Sequence, residues 1–470
     1  MKYLLLSLLL LPLCGIAQTN PTLDALAADP SLRHANWSVL LQDVESGTAR
    51  LTRAADRSLP PASTMKVVTT ATALAVLGPD HRFETELGYA GQIADGVLYG
   101  DLYLKGYGDP TLASPETAGV DRLPELLARL VAAVRNAGIT RIEGGVIADA
   151  SYLRAAPTPP DWQWKDIGNY YGAGAYGLNF HDNQYTLYFE QSAQGTPPRI
   201  LRTDPPVPGL SFHNEVISAG RGDNSYIYNA EGSLQATVRG TITPGSGTFD
   251  IDGSLPDPPL LAAQCLLQAL EDAAIKVVGN ARTTRVQGTT LLTLQSPPLR
   301  DIVYRTNLAS VNLYAETLLL HLGRTRNTGD DRRAGLSVIR DTWRARGVDM
   351  DGAFLTDGSG LSATNGLTAR QLVGILSAAA RDPRIAAPLY DSLPVAGLSG
   401  SMRTLLRDSP LAGNLRAKTG VIANTRTFAG YVHTPEGELR AFAVLVNRFA
   451  GSGGALRRRL EPLFNTFGVE

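Results

Sequence analysis

Three short strings constrain this chain more than anything else in it: Ser63-Thr64-Met65-Lys66, Ser310-Val311-Asn312 and Lys418-Thr419-Gly420. A Ser three residues before a Lys arises by chance in most chains of this length, and each of the other strings is equally weak alone. Together, in this order, they supply the parts of an active-site serine acyl-transfer centre. A fold that uses them must bring residues 63, 310 and 418 into one cleft. About half the chain lies between the first string and the second, so a large body of sequence must also be carried clear of that cleft.

The chemistry explains why these residue types belong together. A Ser hydroxyl is a poor nucleophile until a neighbouring base removes its proton. A Lys can be that base when burial and nearby cations lower its pKa. Lys66 follows Ser63 by one helical turn, on the same face. The expected division of work has Ser63 attacking a carbonyl carbon and Lys66 taking its proton. Ser310 passes a proton to the leaving group, and Asn312 holds Lys66 and the substrate backbone. Lys418 puts a cation where a free carboxylate would sit, and Thr419 adds a hydroxyl to the same carboxylate. Gly420 ends this string, and the backbone N–H groups of Ser63 and Val421 form the oxyanion hole.

Composition sets the frame for this chemistry. A chain of 470 residues, 44% hydrophobic and 19% charged, is an ordinary globular protein with room for two or three domains. Its formal net charge of -1 leaves no excess of cations for phosphate neutralisation, which argues against a nucleic-acid partner. The start reads as an export signal over residues 1–17: Met1-Lys2, the apolar run Tyr3 to Leu13, then Gly15-Ile16-Ala17 before a cut. Cys14 also admits a lipoprotein reading, against which Leu13 stands where a small residue is expected. After the cut only Cys265 remains, so no intramolecular disulfide forms; its apolar run Leu260 to Leu270 makes it a core residue. The six His show no metal-ligand spacing. Arg221-Gly222-Asp223 reads as a chance tripeptide, and Asn36-Trp37-Ser38 as strand rather than glycosylation acceptor.

Local patterns outline the architecture. Asn36 to Leu51 reads as a hairpin turning at Glu45-Ser46-Gly47, and Ser63 to Leu77 as a buried helix. Leu415 to Gly420 is a short strand, and a second hairpin runs from Thr427 to Asn447 around Thr434-Pro435-Glu436-Gly437. The expected core is one antiparallel sheet assembled from both chain ends, with the Ser63 helix beneath it. Gly454 to Phe467 reads as an amphipathic helix, packed on the domain or lying on a membrane surface. The middle is mostly strand and turn, including Val97 to Leu104, Ile142 to Ala148, Gln184 to Glu190 and Leu234 to Ile242. Two helical stretches, Leu123 to Val134 and Leu260 to Leu270, are each followed by a short apolar strand, an echo of a duplicated unit. Thr196 to Pro208 and Gly245 to Pro259 read as loops. The expected division is a discontinuous catalytic domain over 18–85 and 286–470, with an inserted module over 86–285 that holds a nested piece at about 188–248.

At this point the chain resembles the D-alanyl-D-alanine carboxypeptidase/endopeptidase group of low-molecular-mass penicillin-binding proteins, the type with a large insert between the first two motifs. Flanking strings make the resemblance specific: Gly108-Asp109-Pro110-Thr111-Leu112, Asn312-Leu313-Tyr314-Ala315-Glu316, Asp357-Gly358-Ser359-Gly360-Leu361-Ser362 and Leu393-Pro394-Val395-Ala396-Gly397. Val311 departs from the Asp or Gly that many relatives carry, at a position that points away from substrate. The resemblance implies an α/β (α+β) fold, with a transpeptidase/β-lactamase-like domain and a mostly-β insert. It also implies a periplasmic enzyme that needs no metal or organic cofactor. Its substrates would be peptidoglycan stem peptides and cross-links, and β-lactams would be covalent inhibitors. Within the insert, Trp162-Gln163-Trp164-Lys165-Asp166 and Asn169-Tyr170-Tyr171 make an aromatic-lined acidic site, suited to an aliphatic chain ending in an ammonium group. The resemblance matches Asp166 to an insert Asp that reaches the diaminopimelate side chain; the alternative is an aromatic loop packed at the domain boundary. A β-lactamase, a related serine esterase and a non-catalytic wall-binding module are the competing functions. No Glu-x-x-Leu-Asn string follows the second motif, which weakens the first, and the intact motifs weaken the last. Oligomeric state is not legible.

Overall fold

The computed structural model describes residues 20–469, so the export signal and Cys14 lie outside the described residues. A five-stranded antiparallel sheet joins the two ends of the chain, in the order Arg416–Ile422, Thr425–His433, Leu439–Asn447, Asn36–Asp43, Ala49–Arg53. The N-terminal and C-terminal hairpins meet edge to edge, with Asn36 opposite Asn447 and Asp43 opposite Arg440. Both faces of the sheet are covered. Ala441, Ala443 and Leu445 belong to the core on one face; Phe442, Val444 and Val446 belong to the core on the other. This double burial makes the strand read as a continuous apolar run. The small side chains at 441 and 443 let helix Ala369–Ala380 lie close against the sheet.

Helix Met65–Leu77 fills the first core, and every residue from Met65 to Leu74 is buried. Its three buried threonines are all satisfied. Thr70 donates to Lys66 O (2.6 Å) and Thr72 to Val68 O (2.6 Å), sharing carbonyls of their own helix, while Thr69 donates to Gly358 O (2.7 Å) outside it. The opposite face is closed by helix Gly453–Thr466, which buries Leu456, Leu460, Leu463 and Phe464 against Phe428 and Phe442. The C-terminal amphipathic helix is therefore a packed element of the domain.

The middle of the chain forms three further sheets. The largest spans Glu84–Ala94 and Val97–Gly106, with Thr289–Gln295 antiparallel at one side and two pairs of short parallel strands at the other. Those short pairs come from two units of the same helix–strand–strand order. Helix Leu123–Asn136 leads into Arg141–Ile142 and Val146–Asp149, and helix Pro258–Asp272 leads into Lys276–Val277 and Ala281–Thr283. The two sets pair parallel, Arg141 beside Lys276 and Val146 beside Ala281. Both helices end alike: Ile139 N–H donates to Val134 O and Ile275 N–H to Leu270 O, across left-handed residues Gly138 (φ 76°) and Ala274 (φ 60°).

Two sequence expectations need correction here. The strand expected over Ile142 to Ala148 is broken at Gly144-Gly145, where Gly144 N–H donates to the Gly100 carbonyl at a close approach that only glycine permits. The stretches expected as loops contain strands, Arg199–Asp204 and Thr248–Ser254, which flank Gln184–Glu190 in a three-stranded sheet. Their turn residues lie at the ends of these strands, and a short pairing segment between them carries too little period-2 pattern to be read.

Candidate active site

Ser63 sits in the 3₁₀ turn Ala62–Thr64 that opens into helix Met65–Leu77. The Pro61 carbonyl beneath it accepts from both Thr64 Oγ1 and Thr427 Oγ1 at 2.6 Å, which ties the turn to the sheet. One helical turn on, Lys66 Nζ is 2.9 Å from Ser63 Oγ, 2.6 Å from Asn312 Oδ1 and 2.8 Å from the Ser359 carbonyl. Lys66 is fully buried. That burial pulls its pKa down to about 7, against the opposing pull of the Asp357 and Glu316 carboxylates.

Ser310 and Asn312 stand at the joint between helices Leu299–Ala309 and Asn312–Arg324. Ser310 takes the left-handed conformation (φ 62°) that ends the first helix, and Asn312 begins the second. A tight turn between two packed helices thus fixes both side chains. Asn312 points its oxygen at Lys66, while its amide nitrogen donates to the Tyr171 carbonyl at 2.7 Å. The expectation that Asn312 also holds the substrate backbone is thereby narrowed: one of its two N–H groups is already engaged.

Strand Arg416–Ile422 closes the other side. Lys418 Nζ donates to Ser310 Oγ at 2.9 Å and to the Thr419 carbonyl at 2.8 Å. Lys418 is also fully buried, and burial together with the charge of Lys66 pushes its pKa well below the ordinary lysine value. Burial is the leading cause at both lysines, as the sequence reading expects for Lys66, and the like charge of Lys66 adds to it at Lys418. Thr419 Oγ1 donates to Ser401 Oγ at 2.6 Å, a partner that no motif marks. Gly420 lies against Pro61 O and Ser63 N, each 2.8 Å from where a Cβ would stand, so only glycine lets this strand pass beside the nucleophile. Val421 follows, 56% exposed at the cleft edge.

Asp166 lies in the short helix Trp164–Ile167, half-buried, and accepts from Tyr171 Oη at 3.2 Å. Burial raises its pKa, opposed by Lys165 and by the Tyr171 hydrogen bond. Tyr171 therefore joins Asp166, through its hydroxyl, to Asn312, through its carbonyl. The aromatic cluster is divided: Trp164 and Tyr170 are exposed, whereas Trp162 is buried and donates to Asp357 Oδ2 at 2.9 Å. Ser310, Val311 and Asn312 also line a cavity of about 610 Å³ whose other walls include Tyr170, Tyr171, Asp182, Asp252 and Arg305.

Serine, two buried lysines and an asparagine on a sheet-and-helix core define an active-site serine hydrolase of the penicillin-binding class. The chain belongs to the D-Ala-D-Ala carboxypeptidase 3 (S13) family, whose sequence profile matches residues 19–460. It is 30% identical over 467 residues to the D-alanyl-D-alanine carboxypeptidase of Actinomadura sp. (strain R39), covering 93% of this chain and 82% of that one. In three dimensions it resembles penicillin binding protein 4 (dacB) from Haemophilus influenzae, with a TM-score of 0.82 at 21% identity, over 95% of this chain and 99% of that one. The same protein complexed with a β-lactam matches with a TM-score of 0.74 at 21% identity, over 93% and 96% of the two chains.

Proposed function

We propose that this protein is a serine-type D-Ala-D-Ala carboxypeptidase acting on peptidoglycan stem peptides, through an acyl-enzyme on Ser63. The observation that carries this reading is the set of three contacts around Lys66 Nζ. Asn312 Oδ1 and Ser359 O can only accept hydrogen bonds. A neutral amine has two N–H groups for them and one lone pair left, which faces the Ser63 hydroxyl. The arrangement suits a base that withdraws the serine proton as Oγ attacks the penultimate D-Ala carbonyl. The oxyanion is held by the N–H groups of Ser63 and Val421. When the tetrahedral species collapses, the C–N bond breaks and the proton that Lys66 withdrew passes through Ser310, which Lys418 orients, to the terminal D-Ala amine, leaving Lys66 neutral. Water then attacks the Ser63 ester, Lys66 takes its proton and returns it to Ser63 Oγ as the shortened peptide leaves as its carboxylic acid.

Lys418 and Thr419 read the substrate's free carboxylate. The protein gives Lys418 only neutral oxygens as partners, so a substrate carboxylate would favour its charged form. Cross-linked peptides are a second substrate in this reading. The cavity beside Ser310 and Asn312 supports it, because it offers room and acidic groups where the leaving strand of a cross-link would emerge. The export-signal reading of residues 1–17 supports action outside the cytoplasm, in the periplasm. The test is release of D-Ala from a peptide ending in D-Ala-D-Ala, together with the intact mass after benzylpenicillin. Wild type should turn over the peptide and gain one adduct on Ser63. An adduct that persists in Ser63→Ala, or no adduct at all, rejects the assignment.

A further inference from the structure

One face of Lys66 rests on a turn that neither catalysis nor substrate contact explains. The turn runs from Asp357 to Ser362, and its Ser359 carbonyl accepts from Lys66 Nζ at 2.8 Å. Two groups outside the turn hold it in that pose. From below, Glu316 on helix Asn312–Arg324 takes the N–H groups of Gly358 (3.0 Å) and Ser359 (2.8 Å) on a single oxygen, Oε1. From the middle of the chain, Trp162 donates its indole N–H to Asp357 Oδ2 at 2.9 Å. The same Asp357 carboxylate closes the turn on itself by accepting from the N–H groups of Gly360 and Ser362, both at 2.7 Å. Gly360 (φ 79°) then presses against the Ala62 carbonyl, one residue before the nucleophile.

Glu316, Asp357 and Ser359 are all completely buried, and Trp162 nearly so. The second oxygen of Glu316 has no partner. A buried carboxylate oxygen without a protein partner is unfavourable, and burial with the charge of Asp357 raises the Glu316 pKa, so the placement is offset by the two N–H bonds the other oxygen makes. The charged groups facing Glu316 are Asp357 across the turn and Arg332 on helix Asp331–Arg344, and Lys66 feels both carboxylates.

We propose that Glu316 and Trp162 are positioning residues for the base: together they aim the Ser359 carbonyl at Lys66 Nζ, and Trp162 makes the middle region of the chain a working part of the acylation machinery. This rests on the reading of Ser63 as nucleophile and Lys66 as base. Ser359 and Asn312 between them fix the two N–H directions of Lys66. A shift of the turn would rotate the lone pair away from Ser63 while leaving the carboxylate-reading side of the cleft, Lys418 and Thr419, untouched.

The experiment measures acylation by nitrocefin in rapid mixing, separating the pre-covalent dissociation constant from the acylation rate constant, with melting temperature as a fold control. Glu316→Leu should slow acylation about ten- to a hundredfold, the range expected for a displaced reacting group. Glu316→Gln, which keeps an acceptor oxygen, should recover to within about threefold of wild type, and Trp162→Phe should slow acylation about three- to tenfold, the worth of one buried hydrogen bond. The pre-covalent constant should stay within about twofold throughout, because the groups that read the carboxylate are unmoved. Equal losses in Glu316→Leu and Glu316→Gln overturn the proposal, as does a pre-covalent constant that weakens in step with the rate. If Glu316→Leu fails to fold, Trp162→Phe decides: wild-type acylation of Ser63 in that variant overturns this proposal alone. A wild-type protein that takes no adduct on Ser63 overturns the serine reading and this one with it.

Discussion

The two buried lysines stand on opposite sides of Ser63 and live in different surroundings. Lys66 has three oxygen partners and two carboxylates within electrostatic reach, all from the protein. Lys418 has a serine hydroxyl and a main-chain carbonyl, and the nearest charge acting on it is another lysine. Both are completely buried, so both are driven toward neutrality by the same desolvation. The difference lies in their partners. Lys66 faces acceptors and two carboxylates supplied by the fold, whereas Lys418 faces two neutral oxygens. On the function proposed above, the first is a base and the second a receptor for the substrate's carboxylate.

The contrast can be broken most forcefully at Lys66. Lys66→Met should reduce acylation by about 10²–10⁴-fold, while a carboxylate-bearing substrate still binds; equal losses of binding and rate would show that the two lysines share one task. At Lys418, removing the substrate's carboxylate by amidation should cost about 2–5 kcal/mol of transition-state stabilisation in wild type, read as kcat/KM. In Lys418→Met the acid and amide substrates should become equal. A surviving preference for the acid would assign the carboxylate to another group.

A smaller effect sharpens the comparison through pH. Acylation should rise with pH up to about 7, as Lys66 loses its proton, and then level off. A profile flat until near pH 10 would mean that Lys66 keeps an ordinary lysine value of about 10.4. Stability carries the same signature. The folded pKa of Lys66 lies below the ordinary value, so between about 7 and 10.5 the unfolded chain binds more protons than the native one. Thermal stability should therefore gain from rising pH across that window, and the gain should be smaller in Lys66→Met, where only the buried Lys418 still supplies it. The smallest effect belongs to Asp166. Asp166→Ala should slow a peptide with a free side-chain amine by several-fold, about the worth of one exposed ion pair, and spare its acetylated counterpart. Equal slowing of both would leave Asp166 a support for Tyr171.

What the sequence discloses and what it hides follow from range. The three strings are local, and residues such as Ser63, Ser310 and Lys418 are legible because their chemistry is unusual in combination. The hairpins at the chain ends are legible because their turns carry Gly, Ser and Pro at the right places. Helix Asn312–Arg324 is harder: everything from Leu313 to Gly323 is buried, so no polar face marks its period. Strand Ser211–Ser218 fails for the opposite reason, with half its residues exposed and polar types frequent, and it pairs directly and in parallel with Gln235–Ile242, although Tyr226–Tyr228 comes between them in sequence. Ser401 beside Thr419 and Trp162 beside Asp357 are invisible in the sequence, since nothing local distinguishes a side chain whose partner is far along the chain.

The sheet that supports the cleft has a consequence for when the cleft can exist. Strand Asn36–Asp43 has Leu439–Asn447 as its neighbour, and Lys418 enters only with the strand two places beyond. A growing chain emerges N-terminus first, so Ser63 and Lys66 must remain without their sheet until almost the last residue has been made. Contacts of such sequence separation are slow to form, and the nucleophile cannot be assembled on any partial chain. On this topology the cleft is assembled only when the two ends of the chain have found each other.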